Sequence, residues 1–366
     1  MNIESGLSRS SCLHKGFCRA RSHYESEEGN DMEEKRMSMF TILVMGVCVV
    51  TLCCIGFLSG TAHAQAKYPT KPIEVIINYP PGGPTDIPAR LITAELAKEL
   101  GTQITMQYKP GAGGMIGGAF VSTAKPDGYT LLFTSISSII SAPFLEKETA
   151  PYDPLKDLTP ISSAVVIPNV LTTHMSTPLT SIDVVLKAAK EKQGTLTCAT
   201  PGAGTTAHLV LEVFKMHGIN IIAVPTKGGG PAATSALGKH TDMGIHLYSA
   251  AIPHVKSASL RLLATTDKMA QESKVPTFKE KGFPEASGLG SMMGFLGPAN
   301  LPKAIVDQLA VATSKVVQMP AVKKALEDAG YTVDLRGPDE LAKKNAEDHK
   351  YVDVIAKAAG LGKYGK

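Results

Sequence analysis

From residue 68 onward, short apolar runs alternate with amphipathic stretches, and the alternation predicts an α/β chain. Pro72–Tyr79 (PIEVIINY) is short, β-branched and stopped by Pro80-Pro81-Gly82-Gly83, as a buried strand would be. Thr85 or Asp86 can cap the helix that follows, which sets Leu91, Ile92, Leu96 and Leu100 on one face. A second strand, Gln103–Tyr108, closes at Lys109-Pro110-Gly111; the glycine-rich Gly111–Gly114 opens a helix to Ala124, and Tyr129–Thr134 is a third strand. The pattern then recurs. Strands are expected at Val165–Ile167 and Asn169–Thr173, a helix from Ser181 to Lys192, and a strand Leu196–Thr200 running into Pro201–Thr206. A helix Ala207–His217, a strand Ile221–Val224, a helix Pro231–Gly238 after Lys227-Gly228-Gly229-Gly230, and strands Asp242–His246 and Leu260–Thr266 follow. Amphipathic helices at Lys303–Val317, Ala321–Ala329 and Pro338–Ala358 occupy the last third. Two such blocks predict two α/β lobes, each a mainly parallel sheet flanked by helices. The ligand cleft would lie between them, at the carboxyl ends of the strands.

Ahead of these blocks, Phe40–Leu58 is almost wholly apolar, with Lys35 and Arg36 just before it and Ser59-Gly60 and Ala62-His63-Ala64 after it. A basic start, an apolar run and a small-x-small end make residues 1–64 a secretory signal peptide cleaved after Ala64. A retained anchor is the alternative, because a run of this length can just span a bilayer. Met32 and Met37 are alternative starts. No later apolar run approaches spanning length, so the mature chain is expected to be exported and soluble.

Composition narrows the reading further. A chain of 366 residues exceeds what one hydrophobic core usually serves, which agrees with two lobes. The net charge is only +4 and its charges are interspersed, so nothing argues for a nucleic-acid partner. Five of the six cysteines precede residue 60, which leaves Cys198 alone and excludes a disulfide framework or cysteine metal cluster from the body of the chain. Cys198 reads as a small buried hydrophobe on its strand.

Three glycine-rich turns precede helices, at 80–86, 111–114 and 201–206. Glycine lets backbone approach a ligand and free N–H groups at a helix start attract an anion; Thr85, Thr205 and Thr206 add hydroxyls. Together the turns favour capture of carboxylates or phosphates, although short turns in α/β folds also need glycine for shape alone. Dinucleotide and P-loop motifs fail in detail, and neither G-x-S-x-G nor HExxH occurs. His208, in the first turn of a helix, and His246, at a strand end, are candidate ligand contacts.

These turns resemble a known family. Tyr68–Ile73 (YPTKPI), Pro80–Asp86 (PPGGPTD) with Ala89-Arg90, Pro110–Gly114 (PGAGG) and Pro126–Leu131 (PDGYTL) occur in order. Tyr152–Pro160, Gly202–Leu209 (GAGTTAHL), Pro225–Ala232 and Pro253-His254 follow. The set resembles the Bug (TctC-like) extracytoplasmic solute-binding receptors of tripartite tricarboxylate transporters, over essentially the whole chain from residue 68. The resemblance implies a two-lobed periplasmic binding protein that closes on a small carboxylate and hands it to membrane transporter subunits. Its expected division is 65–167 plus 291–366 for one lobe and 168–290 for the other. Carried over, first-lobe ligand contacts are Tyr79, Pro81, Gly82, Gly83, Thr85 and Asp86, with Ser135 and Ser137. Second-lobe contacts are Thr200, Gly204, Thr205, Thr206 and His208, plus Asp242 and His246. Arg90 is expected to brace its turn. The chain departs from the family pattern at His246, where relatives commonly carry Asp, and that shifts the expected ligand away from one with an ammonium group. Thr226 in place of a frequent Tyr and Gln107-Tyr108-Lys109 in place of Glu-Asn-Arg are further departures. A monomer without metal or cofactor, and not an enzyme, is expected. A periplasmic sensor feeding a kinase, or a degenerate enzyme on the same fold, remains as the rival.

Overall fold

The computed structural model describes residues 36–47, 68–145 and 150–365. Residues 1–67 and 68–366 form two separate units. In the first, residues 36–47 form helix α1; the rest of the apolar run, the Ala62-His63-Ala64 motif and all cysteines but Cys198 lie outside the described residues. No helix among the described residues is long and apolar enough to cross a membrane.

The second unit begins with β1 (Ile73–Ile77), α2 (Asp86–Leu100), β2 (Ile104–Tyr108), α3 (Met115–Ser122), β3 (Thr130–Ser135), α4 (Ile136–Ser141) and β4 (Leu158–Ile167). After Pro168 come β5 (Asn169–His174), α5 (Ile182–Glu191), β6 (Thr197–Thr200), α6 (Thr206–Met216), β7 (Ile222–Pro225), α7 (Gly229–Leu237), β8 (Met243–Leu247), α8 (Tyr248–Lys256) and β9 (Leu260–Thr265). The chain ends with β10 (Ser291–Pro298), α9 (Lys303–Val317), α10 (Pro320–Asp328), β11 (Thr332–Val333) and α11 (Pro338–Ala359).

One lobe is built on a sheet of order β11-β4-β10-β3-β1-β2, the other on β7-β6-β8-β5-β9. The expectation of mainly parallel sheets is corrected: both are mixed. β1 pairs in parallel with β2 and β3, and β6 with β7 and β8. β10 is antiparallel to β3 and β4, and β5 to β8 and β9. The cause is the path between lobes. β5 and β10 are the strands on which the chain enters each sheet from the other lobe, and they run against the strand–helix–strand direction.

β10 also escaped the hydrophobic pattern. Every residue of Ser291–Pro298 is buried, yet its Met and Gly content lacks both alternation and β-branching. Gly294 is needed there: a Cβ would lie 2.1 Å from the Ser162 carbonyl oxygen, beside a register shift in the β4–β10 pairing. Phe133 and Phe295 meet nearly edge to face, 4.9 Å apart, in a core shared with Ile73, Val75, Ile92 and Leu96. Each such side chain stabilises the fold by about 1.5–3 kcal/mol through burial. The second lobe has its own core around Leu171, Val210, Phe214, Met243 and Ile245. Val352, Ile355 and Ala356 of α11 pack into that second core, so the C-terminal helix serves both lobes. Ser181 caps α5 by accepting from the Val184 N–H at 3.3 Å, and Cys198 is fully buried with its thiol pKa pushed up by desolvation.

Candidate functional site

The carboxyl ends of β1, β6 and β7 each run into a glycine-rich turn and then a helix, and these turns surround a cavity of about 150 Å³ between the lobes. From the first lobe it is lined by Tyr79, by Pro80–Thr85, and by Ser135 and Ser138 at the start of α4. From the second come Pro201 and Thr205–Ala207 at the start of α6, Gly228–Pro231 at the start of α7, and Leu247. Asn169 and Ser291, the first residues of β5 and β10, complete the wall. Among the described residues, no charged side chain lines this cavity.

The two helix types differ in what they offer. At α2 the first-turn N–H groups of Asp86 and Ile87 already donate to the Gly83 carbonyl, at 3.0 and 3.2 Å, and Pro88 has no N–H. At α6 the His208 N–H is taken by the Thr205 Oγ1, but those of Thr206 and Ala207 have no carbonyl behind them. The N–H groups of Gly229 and Gly230 at the start of α7 stand in the same position. Four backbone donors and two helix N-termini therefore face a cavity without charge, which suits an anion.

Of the sequence candidates, Tyr79, Pro81, Gly82, Gly83, Thr85, Ser135, Thr205 and Thr206 lie on the cavity wall. The others do not, and each for a stated reason. Asp86 points back into its own turn: Oδ2 accepts from the Gly82 N–H (2.7 Å) and Arg90 Nε (2.8 Å), and Oδ1 accepts from the Tyr108 hydroxyl (2.6 Å). Burial raises its pKa, but the Tyr108 and Arg90 hydrogen bonds and the Gly82 N–H more than offset this and hold it below the usual carboxylate value. Arg90 braces the turn, as its place one turn into the helix predicts.

Ser137 turns to the far side of β10, where its Oγ accepts from the Met292 N–H at 3.1 Å. It lines a separate space of about 380 Å³ with Arg336, Lys344 and Asp267. The cations there are already matched, Lys268 to Glu280 at 2.8 Å, Arg336 to Asp334 at 3.1 Å and Lys344 to Asp348. Thr200 is fully buried, with an Oγ1 that has no hydrogen-bond partner among the described residues.

Gly204 belongs to a seam between the lobes. A Cβ on it would come within 2.7 Å of the Ala142 Cα, and its carbonyl accepts from the Ser141 Oγ at 2.6 Å. Gly113 is held as closely against the Ala203 carbonyl, where a Cβ would sit at 2.3 Å. On the other side of the cavity the Tyr331 hydroxyl bridges the Pro84 carbonyl (2.5 Å) and the Ser249 Oγ (3.0 Å). His208 supports that seam: its Nδ1 accepts from the Gly204 N–H at 3.1 Å, and its Nε2 lies 3.6 Å from Glu212. Burial lowers its pKa, against the raising effect of Glu212.

Asp242 sits at the wrong end of its strand. It precedes β8 and binds the Thr197 N–H (2.8 Å) and hydroxyl (2.7 Å), whereas the cavity lies at the strand's carboxyl end. His246 is one residue short of the position that matters. Side chains alternate along a strand, so Leu247 faces the cavity and His246 faces the core, 3.0 Å from the Thr172 hydroxyl, with its pKa pushed down to about 4 by burial. The inference drawn from His246 about the ligand therefore loses its basis.

Sequence reasoning missed Ser138, Asn169, the Gly228–Pro231 turn, Leu247 and Ser291. The Gly228–Gly230 run carried the same glycine-before-helix signal as its neighbours. Asn169 and Ser291 carried none, because they reach the cavity only through the two crossovers between sheets. No group of three or more His, Cys, Asp or Glu side chains among the described residues could hold a metal ion.

Comparison with known proteins fits this geometry. The family described as tripartite tricarboxylate transporter family receptor (TctC) matches residues 88–361. The chain is similar to Protein BugT of Bordetella pertussis, 33% identical over 297 residues that cover 79% of this chain and 91% of that protein. Among solved structures it is similar to MatC from Rhodopseudomonas palustris with bound malate, at 26% identity and a TM-score of 0.73, covering 79% of this chain and 100% of that one. R. palustris Rpa4515 with adipate is similar at 27% identity and a TM-score of 0.74, covering 81% and 99%.

Proposed function

The chain belongs to the tripartite tricarboxylate transporter receptor (TctC) family, and on that premise we propose that it is a periplasmic solute-binding receptor for a small carboxylate. It binds without catalysing a reaction, closes its lobes on the ligand and delivers it to a tripartite transporter in the membrane. The observation that carries this reading is the pair of helix starts, α6 and α7, whose unused N–H groups face a cavity free of charged side chains. Backbone donors and hydroxyls hold a carboxylate without an arginine, and a bridging water can complete the set. An ammonium group would meet no carboxylate on this wall, so the ligand is an acid without an amine. Malate and adipate in the two similar structures are of that kind.

The test is a thermal-unfolding screen of the purified protein against organic acids. A ligand at a hundred times its Kd adds about 2.7 kcal/mol to stability and raises the melting temperature measurably. Stabilisation by mono-, di- or tricarboxylates without an amine supports the reading. No shift with any of these, or a shift only with amino acids, overturns it.

A further inference from the structure

Asn169 is the first residue after the β4–β5 crossover, 1% exposed, and its side chain lines the cavity. Its amide orientation is fixed by chemistry. Its Nδ2 lies 2.7 Å from the Leu289 carbonyl oxygen, which can only accept, so the nitrogen and not the oxygen must face it. The same nitrogen donates to the Thr206 Oγ1 at 2.9 Å. Both amide hydrogens are thereby used, and they join the two crossovers to the start of α6. The Oδ1 accepts from no donor among the described residues, yet it is not sealed from solvent. The cavity is the space open to it. Because Thr206 accepts from Asn169, its own hydroxyl hydrogen is left to donate, next to the free N–H groups of Thr206 and Ala207.

The wall thus places, side by side, a cluster of donors for a carboxylate and one strong acceptor. We propose that Asn169 is a specificity-determining residue that selects a 2-hydroxycarboxylate, whose hydroxyl donates to Oδ1 while the adjacent carboxylate takes the α6 donors. This rests on the carboxylate-receptor reading and narrows it. An acid without the hydroxyl leaves a buried acceptor with at best a trapped water, and sites built around such an acceptor discriminate against the deoxy analogue.

The experiment is calorimetric titration of the full chain with matched acids: malate, succinate and 2-fluorosuccinate, with citrate against tricarballylate and mandelate against phenylacetate in parallel. Fluorine has nearly the size of a hydroxyl but cannot donate. The hydroxy acid of the pair that binds is expected to bind at least about tenfold tighter than its deoxy partner, and fluorosuccinate to behave like succinate rather than malate. Asn169→Ala should bring the paired affinities together. The fluoro comparison needs no variant and stands if that one fails to fold. Equal affinity within the pairs, or a preference that survives in Asn169→Ala, overturns the role of Asn169 while leaving the carboxylate reading intact. Failure of all these acids to bind sinks the carboxylate reading itself.

Discussion

The turn after β1 and the turns after β6 and β7 look alike in sequence, yet the two lobes put them to different use. In the first lobe, Pro80–Thr85 is closed on itself. Gly83 takes the first α2 N–H groups, and Asp86, gripped by Arg90 and Tyr108, takes the Gly82 N–H. That lobe brings a shaped wall of proline, hydroxyl and aromatic groups. In the second lobe the starts of α6 and α7 keep their N–H groups unspent, and so it brings the donors. A third set of glycines, Gly113, Gly202 and Gly204, serves neither purpose and lets the lobes meet backbone to backbone. One composition therefore has three physical roles: satisfied turn, open anion site and contact seam. Only the hydrogen-bond accounting of each turn separates them.

The seam gives the largest expected effect. Gly204→Ala adds a Cβ 2.7 Å from the Ala142 Cα, where only backbone could yield, and it weakens the Ser141–Gly204 hydrogen bond. Overpacking of this kind costs about 1–3 kcal/mol and the hydrogen bond about 1 more, so ligand affinity should fall by about thirtyfold to a thousandfold. The free protein should lose only the roughly 1–2 kcal/mol that an alanine pays at the φ of +74° held by Gly204, since the lobes can part. Titration calorimetry beside a melting curve checks this, and unchanged affinity would mean that closure does not bring these glycines together.

Acid should act through the second lobe. His246 lies in β8, beside the strand from which the α6 turn hangs, and no strand of the first lobe contains a histidine. Burial holds its pKa at about 4, against 6.5 for the free side chain. The unfolded chain binds a proton that the folded protein refuses, so stability falls as pH drops below about 6.5 and the loss from this group is complete near pH 4. The gap corresponds to roughly 3 kcal/mol. Burial lowers the pKa of His208 too, which adds to the same trend. Denaturant midpoints between pH 7.5 and 4 should show the slope, and His246→Gln should flatten it. A slope unaltered in that variant would place the acid sensitivity elsewhere.

The open anion site is probed by Gly230→Asp. Its Cβ meets nothing within 4 Å, so the residue fits, and an acidic group in the first turn of α7 stabilises the helix by about 0.3–1 kcal/mol. The same carboxylate repels an anionic ligand. Affinity should fall at least about tenfold while the melting temperature holds or rises, a split that separates a binding role from a structural one. Equal losses in both would argue that this turn is as internally satisfied as the one in the first lobe.

How far the sequence could carry this comparison is seen in particular residues. Runs such as IEVII in β1 declare a buried strand by themselves, and Ser181 declares a helix start, because both signals are local. β10 is invisible because its Met and Gly residues are chosen by neighbours in β3 and β4, not by any periodicity of their own. The same divide runs through the site. Thr205 and Thr206 are legible as a helix start beside glycine. Asn169 and Ser291 become part of the cavity only when two crossovers meet, and His246 against Leu247 is decided by a one-residue strand register that an end-of-strand estimate cannot resolve.

The smallest effect is expected where the first lobe is most self-contained. Tyr108 stands at the end of β2, and its hydroxyl donates to Asp86 at 2.6 Å while accepting from Arg90 at 2.5 Å. Its own pKa is pushed up to about 12, by burial first and then by the Asp86 hydrogen bond, so it stays protonated and keeps donating at neutral pH. Tyr108→Phe removes one of three hydrogen bonds to the Asp86 carboxylate and leaves the other two in place. The cost should be about 1 kcal/mol of stability, read as a lower denaturant midpoint with an unchanged slope. Ligand affinity should shift by no more than about threefold, because the Gly82 N–H and Arg90 still hold the turn and none of the Tyr108, Asp86 and Arg90 side chains lines the cavity. A larger loss of affinity than of stability would show that the first-lobe turn is tuned by its brace rather than merely supported by it, and the contrast between a passive wall and an active donor site would have to be redrawn.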